Sequence, residues 1–470
     1  MQPFVDEGLG NSSYLVVSPG ERVAAVIDPF RDVDRYLERA LRLDVDITHV
    51  LDTHLHADFV SGAREIAAQT GATIGASAEA GLGFEHESLR DGDEVQVGDM
   101  HFRVLGTPGH SPEHVAFLLS PPADSGPPAV FTGGALIVGG AGRTDLLGPS
   151  LAEPLARQLF HTLRERLTAL PDPTNVYPTH GAGSFCIASS TARRTTTIGM
   201  ERLTNPLLRP LTEEEFVQRA LTGLPSYPSY FSQMRAINQK GPRILGGLPA
   251  LESRSPRDLP NLSEQGVVIL DVRSAYAFAA SHIQGSYGIE LDLGLAPWAG
   301  WLVPFGTPLV LLADTPEARE EATRELIRIG YDDLRGFVEG GVEAAGAAGL
   351  PIESIPMWSV HELGKRMSSP NPPVVLDVRF DAEWMAGHIP GAVHIEAGRV
   401  PDETFTLSQD RTIVAHCAHG ARSAAAVSVL VRRGYRNVAL LRGGVGEWTS
   451  AGFPVDRGTA ATATGPAPAW

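Results

Sequence analysis

Along the first half of the chain, short β-branched and apolar runs alternate with longer segments in which apolar residues recur every three to four positions. The runs SYLVV, VAAVID, ITHVLDTH, FRVLGTPGH, AVFTGGAL and NVYPTHG predict strands, whereas DVDRYLERALRL and SLAEPLARQLFHTLRERL predict amphipathic helices. Such alternation predicts an α/β domain. A helical stretch over 190–240 follows. It ends in RILGGLPALESRSPRDLP, where Pro, Gly and Ser cluster without periodicity as they do between domains.

The second half repeats itself. VVILDVRSAYAFAASHIQGS at 267–286 is echoed by VVLDVRFDAEWMAGHIPGA at 374–392, so that Asp271 matches Asp377 and His282 matches His388. RELIRIGYDDLRGFVEGGVEAAGAAGLP is echoed in turn by SVLVRRGYRNVALLRGGVGEWTSAGFP. Two copies of one domain therefore stand in tandem. Their order of strand, helix, strand, helix, with PLVLLA and TIVAH as buried runs, predicts a small parallel sheet in each copy. The expected division is 1–240, 241–352, 353–458 and a disordered tail over 459–470.

Length and composition narrow the functional classes. At 470 residues the chain has room for about three domains. Lys and Arg number 38 against 55 Asp and Glu, a formal charge of −17, which repels nucleic-acid phosphates and anionic lipid alike. Small-molecule partners are expected, with no nucleic acid and no membrane; a homo-oligomer is left open. Cys186 and Cys417 are too few for a disulfide framework, and MQPFVDEGLGNSSY has no basic segment leading into an apolar run. Both observations point to a cytoplasmic protein.

Four strand-to-loop junctions carry candidate metal chemistry: THLHADF with His54, His56 and Asp58, TPGHS with His110, TGGAL with Gly134, and YPTHG with His180. Side chains at strand ends can converge on one edge, and imidazoles with a carboxylate bind transition metals. His49, His86, His101 and His161 read as ordinary surface or hydrogen-bonded histidines.

Together with THLHADFVSG, GRTDL at 142–146, HGAGSFC at 180–186 and TIGMERLTNPLL at 197–208, these loops resemble the metallo-β-lactamase fold, an αββα sandwich, and within it the persulfide dioxygenases fused to rhodanese domains. The resemblance implies one Fe(II) per chain, held by the first His of HxHxD, the His of TPGH and an Asp in TGD. Those positions are His54, His110 and Gly134 here, and glycine offers no ligand atom. His56, Asp58, His180 or Asp145 are then the alternative third ligands, or solvent and substrate complete the coordination; a three-histidine site also suits Zn. If the loop keeps the family's geometry, Gly134→Asp raises iron occupancy.

The resemblance further implies that glutathione persulfide and O2 are consumed and that sulfite and glutathione are released. Arg143 in GRTDL is a candidate to bind the glutathione carboxylates through its planar fork of donors, with an Arg143–Asp145 contact as the structural alternative. Cys186 is expected to be structural or at most substrate-lining. Thioester hydrolases of the glyoxalase II type continue HxHxD with a further His for a second metal; Phe59 stands there, which ranks that reading lower.

In the second repeat TIVAH runs into CAHGARS and then a helix. Unpaired N–H groups at a helix N-terminus favour a thiolate and an anionic persulfide. With LDVR, EWMAGHIPGA and RGGVGEW, this loop resembles the rhodanese sulfurtransferases. The resemblance implies Cys417 as nucleophile, Ala418, His419, Gly420 and Ala421 as the persulfide cradle, and Arg422 as the closing charge. Asp377, Arg379 and His388 are assigned to structure. In the first repeat PLVLLADTPEAR puts Ala313 where Cys417 stands, so that copy is expected to be inactive.

The joint expectation is an enzyme of sulfur metabolism and hydrogen sulfide detoxification. It oxidises glutathione persulfide at iron and interconverts persulfide, thiosulfate and sulfite at Cys417, fusion raising the local concentration of the shared intermediate. The alternative is a sulfurtransferase whose first domain is a catalytically degenerate scaffold.

Overall fold

The computed structural model describes residues 1–120, 126–186, 193–403 and 407–458; the tail expected over 459–470 lies outside the described residues. The chain forms two compact units, Met1–Pro249 with Arg324–Gly330, and Ala250–Thr323 with Tyr331–Trp470.

In the first unit two six-stranded sheets follow chain order. One holds β1 (Gln2–Asp6), β2 (Asn11–Val17), β3 (Val23–Ile27), β4 (Asp46–Leu51), β5 (Thr73–Ser77) and β6 (Glu87–Leu89), antiparallel to β3 and parallel from there. The other holds β7 (Glu94–Val97), β8 (Met100–Gly106), β9 (Val115–Ser120), β10 (Ala129–Gly133), β11 (Asn175–Pro178) and β12 (Thr196–Thr197), with only β10 and β11 parallel.

Side-chain alternation explains the layering. On β8, Met100, Phe102 and Val104 are buried while His101 and Arg103 face solvent, the period of a strand with one wet face. Those three pack with Tyr14, Ile27, Leu51, Phe117 and Phe131 between the sheets. Each such side chain contributes about 2 kcal/mol by leaving water. Strand β10 is buried on both faces: Phe131 points into the sandwich, and Val130 meets Leu159, Leu163 and Leu167 of the helical segment over 149–167. The helix Ala63–Thr70 buries Ala63 and Ile66. The result is the αββα sandwich that the resemblance implied.

The second unit contains two five-stranded parallel sheets with the same strand order. Ser253–Arg254, Leu334–Val338, Leu309–Leu312, Val268–Asp271 and Tyr287–Gly288 form one; Met357–Trp358, Val438–Leu441, Ile413–His416, Val374–Asp377 and Val393–His394 form the other. The matched residues play matched parts. Asp271 takes Arg273 and Asp377 takes Arg379 in two-pronged pairs, while His282 Nδ1 donates to the Phe278 carbonyl and His388 Nδ1 to that of Trp384. Among the described residues no helix is long and apolar enough to cross a membrane.

Candidate functional site

The histidines expected on separate loops meet. His54 follows β4, His110 lies between β8 and β9, and His180 follows β11; all three are buried. Their ring centroids stand 4.9 Å (His54–His110), 5.2 Å (His110–His180) and 5.3 Å (His54–His180) apart. Every Nδ1 has an acceptor. His54 Nδ1 lies 2.8 Å from Thr53 Oγ1, whose own proton goes to Asp28 Oδ2. His110 Nδ1 donates to the Arg143 carbonyl at 2.7 Å, and His180 Nδ1 to Asn11 Oδ1 at 3.0 Å.

With Nδ1 protonated, each Nε2 carries a lone pair. His54 Nε2 and His180 Nε2 face each other at 3.3 Å, and the ligand atoms of all three rings lie within 4.8 Å of one another. Two nitrogens about 2.1 Å from a tetrahedral ion are themselves about 3.4 Å apart. Burial, reinforced by the neighbouring imidazoles, drives the His54 pKa well below its ordinary value; burial and His180 hold His110 at about 4. Both rings are therefore in the neutral, ligating form. Bare lone pairs this close in a buried site repel, so these residues fit one transition-metal ion on three imidazoles whose orientation is fixed from behind.

Gly134 turns out to be a matter of space as well as of a missing ligand. A Cβ there would lie 2.4 Å from His110 Cδ2 and 2.8 Å from Nε2, so the His110 ring occupies the volume a side chain would need. Restoring a ligand with Gly134→Asp, as the sequence suggested, is blocked by that ring. His114, which the sequence reading passed over, holds the same turn: its Nε2 accepts from Gly134 N at 3.0 Å, and its ring stacks on His54 at 4.8 Å. At Gly133 a Cβ would approach both His114 Nε2 and Thr53 Oγ1 to 2.5 Å, and φ is +54°, so that position tolerates only glycine.

The other expected ligands fall beside this triad. His56 stacks on Phe59 at 4.1 Å, and its Nε2 lies 3.4 Å from Asp28 Oδ1. With Asp58 and His180 it forms an adjoining group that shares His180. Burial alone would raise the Asp58 carboxyl, but His180, His56 and the Asn11 amide hold it well below the usual range. Asp145 is turned away: both its oxygens accept from Arg143 at 2.7 Å. The remaining Arg143 nitrogen donates to the carbonyls of Phe185 and Pro225, and the side chain is 2% exposed. Arg143 thus has no nitrogen left for a glutathione carboxylate, and the structural alternative is what the fold contains. Cys186 is fully buried; burial and Asp58 push its thiol well above the ordinary value.

Two further residue sets position the loops. Asp28, in a left-handed conformation at φ +49°, accepts from Thr53 N, Thr53 Oγ1 and Thr179 Oγ1, tying the His54 loop to the His180 loop. The helix Phe231–Lys240 holds the other side. Asn238 Nδ2 donates to the carbonyls of His56 and Phe59, and Arg235 pairs with buried Glu113, which also takes Leu55 N. A cleft lined by Asp52, His54, His56, Leu82, Phe84 and Pro242 opens on this region.

In the second unit Cys417 immediately follows the strand Ile413–His416, ahead of the helix Ala421–Arg432. Gly420 N donates to Cys417 Sγ at 3.1 Å, and Ser423 Oγ lies 3.7 Å away. Gly444 of the RGG motif backs the loop: at φ +53° its Cβ position lies 2.0 Å from the Cys417 carbonyl oxygen, an approach only glycine permits. His419 is exposed. Arg422 is bound to Glu383 through two hydrogen bonds.

The Metallo-beta-lactamase superfamily model matches residues 6–181, and the Rhodanese-like domain model matches 255–348 and 359–451. The chain is 32% identical over 257 residues to a hydroxyacylglutathione hydrolase of Methylococcus capsulatus, covering 48% of this chain and 92% of that protein. To the mitochondrial persulfide dioxygenase of Homo sapiens it is 31% identical over 216 residues, covering 44% and 74%. A solved metallo-beta-lactamase from Staphylococcus aureus subsp. aureus COL is 32% identical, with a TM-score of 0.64 over 72% of this chain and 98% of that one. The chain belongs to the metallo-β-lactamase superfamily, with persulfide dioxygenases among its homologues, and carries two rhodanese-like domains in tandem.

Proposed function

We propose that the protein is an enzyme of sulfur metabolism, working in a reducing cytoplasm, that oxidises glutathione persulfide with O2 and transfers sulfane sulfur through Cys417. A persulfide dioxygenase relative and rhodanese-like domains in one chain support this class of activity. The observation that carries the oxidative half is the convergence of His54, His110 and His180, each with Nδ1 committed and Nε2 turned inward.

Bound on those nitrogens, Fe(II) supplies the electron transfer that lets O2 react with a persulfide; the balance is one O2 and one water per persulfide, giving sulfite and the free thiol. The chain's own contribution is orientation. Thr53, the Arg143 carbonyl and Asn11 keep each ring in the ligating tautomer, and Asn238 and Arg235 fix the loops. The cleft past Leu82 and Phe84 is the approach for a substrate sulfur. In the last domain Cys417 attacks the outer sulfur of a donor, and the Gly420 N–H stabilises charge on sulfur.

One observation favours a second reading, a sulfurtransferase with a degenerate first domain: Gly134 offers no ligand atom, and the His110 ring takes the space a side chain there would need. Metal analysis of the purified chain decides. About one iron per chain with persulfide-dependent O2 uptake supports the dioxygenase. Metal-free protein with active sulfur transfer supports the second reading, and zinc with thioester cleavage a glyoxalase II-like hydrolase.

A further inference from the structure

Arg422 was expected as the closing charge of the Cys417 loop. Its Nη1 and Nη2 donate to Glu383 Oε2 and Oε1 at 2.6 and 2.9 Å, a bidentate pair with side chains 13% and 33% exposed. Glu383 also accepts from Phe380 N at 3.2 Å, and the Arg422 guanidinium lies over the Phe380 ring at 5.3 Å, so the pair is fixed from both sides. Residues 417–423 contain no other Lys or Arg. The nearby Arg379 is spent on Asp377 and the Gly387 carbonyl. Arg422 and Arg379 are therefore each paired with a carboxylate, and the Gly420 N–H is the group that donates to the sulfur.

The first repeat supplies an internal comparison. Ala277 stands where Glu383 does, Ala318 where Arg422 does, and Ala313 where Cys417 does. Acid, base and nucleophile are lost together, which ties the pair to the sulfur chemistry and away from the sheet, since both sheets keep the same order without it.

We propose that Glu383 sets the charge preference of the Cys417 site: by holding Arg422 in a neutral pair, it favours persulfide donors, whose transferable sulfur carries at most one negative charge, over the dianion thiosulfate. This rests on the sulfurtransferase reading of Cys417. In either reaction the Cys417 thiolate bonds to the outer sulfur of the donor and the donor's S–S bond breaks. Its electron pair leaves on a thiolate from a persulfide or on sulfite from thiosulfate, and no oxidant is consumed. An unpaired Arg422 would attract a dianion about twice as strongly as a monoanion at the same distance, and pairing it with Glu383 cancels most of that advantage.

The test measures sulfur transfer by the full-length chain to cyanide, from thiosulfate and from glutathione persulfide, in wild type, Glu383→Gln and Glu383→Ala. Glu383→Gln should raise kcat/KM for thiosulfate about five- to tenfold, chiefly through KM, with persulfide changing less than about threefold, and added salt should shrink the difference. Glu383→Ala should move the ratio the same way; if Glu383→Gln misfolds, as its melting curve would show, Glu383→Ala carries the test. A thiosulfate-to-persulfide ratio unchanged in the folded variant overturns the inference and leaves Glu383 a mere support for Arg422. Wild type that transfers sulfur from neither donor overturns the sulfurtransferase reading and takes this inference with it.

Discussion

His54 Nε2 and His180 Nε2 approach to 3.3 Å across the first domain, although 126 residues separate them in the chain. Both rings have other partners at Nδ1, and in the neutral tautomer with the proton on Nδ1 the two Nε2 lone pairs face each other. A cation resolves that geometry. His180→Ala and His110→Ala should each lower metal affinity at least tenfold, measured as metal per chain after dialysis, while the exposed His101→Ala should leave it unchanged. Equal metal content in all three variants would remove the triad as the ligand set.

Gly134→Asp gives the opposite of a rescue. The new Cβ meets the His110 ring at 2.4 Å, so the ring or the backbone must move, at a cost of about 1–3 kcal/mol for an overfilled site. The melting temperature should fall and metal content should not rise. A rise in both would mean that His110 swings aside readily.

His416, the last residue of its strand, pairs across the sheet with Asp377 where the first repeat pairs Leu312 with Asp271. Burial holds its pKa at about 4, against 6.5 for a free imidazole. The unfolded chain therefore binds a proton between those values that the folded chain does not. Stability is complete above pH 6.5 and drains away as pH falls toward 4, by about 2 kcal/mol at pH 5. His416→Leu should raise the melting temperature more at pH 5 than at pH 7.5; a pH-independent effect would assign the acid sensitivity elsewhere.

Cys417→Ser should abolish sulfur transfer and leave O2 uptake intact. Ala313→Cys should stay inactive, and the reason is specific. The amide that supports Cys417 is that of Gly420, three residues on. Three residues beyond Ala313 stands Pro316, which has no N–H to give. Transfer activity from Ala313→Cys in a Cys417→Ser background would show that a cradle amide is dispensable.

Periodicity was enough to anticipate an α/β first domain, the repeat and the loops that bear His54, His110, His180 and Cys417; the αββα sandwich was implied by the family resemblance of those loops. Strand alternation and strand-end placement are local properties of the chain, and metal-binding and nucleophilic residue types are visible in it directly. Tertiary packing alone decided what each group does with its valences. Arg143 turned inward to Asp145 and two carbonyls, and the His110 ring filled the space beside Gly134. Asp28 joined two loops through Thr179, Glu113 found Arg235, and Glu383 neutralised Arg422, at separations of 151, 122 and 39 residues. Hydrogen bonds and ion pairs act over a few ångströms, and which distant side chains come within that range is fixed only when the cores have packed.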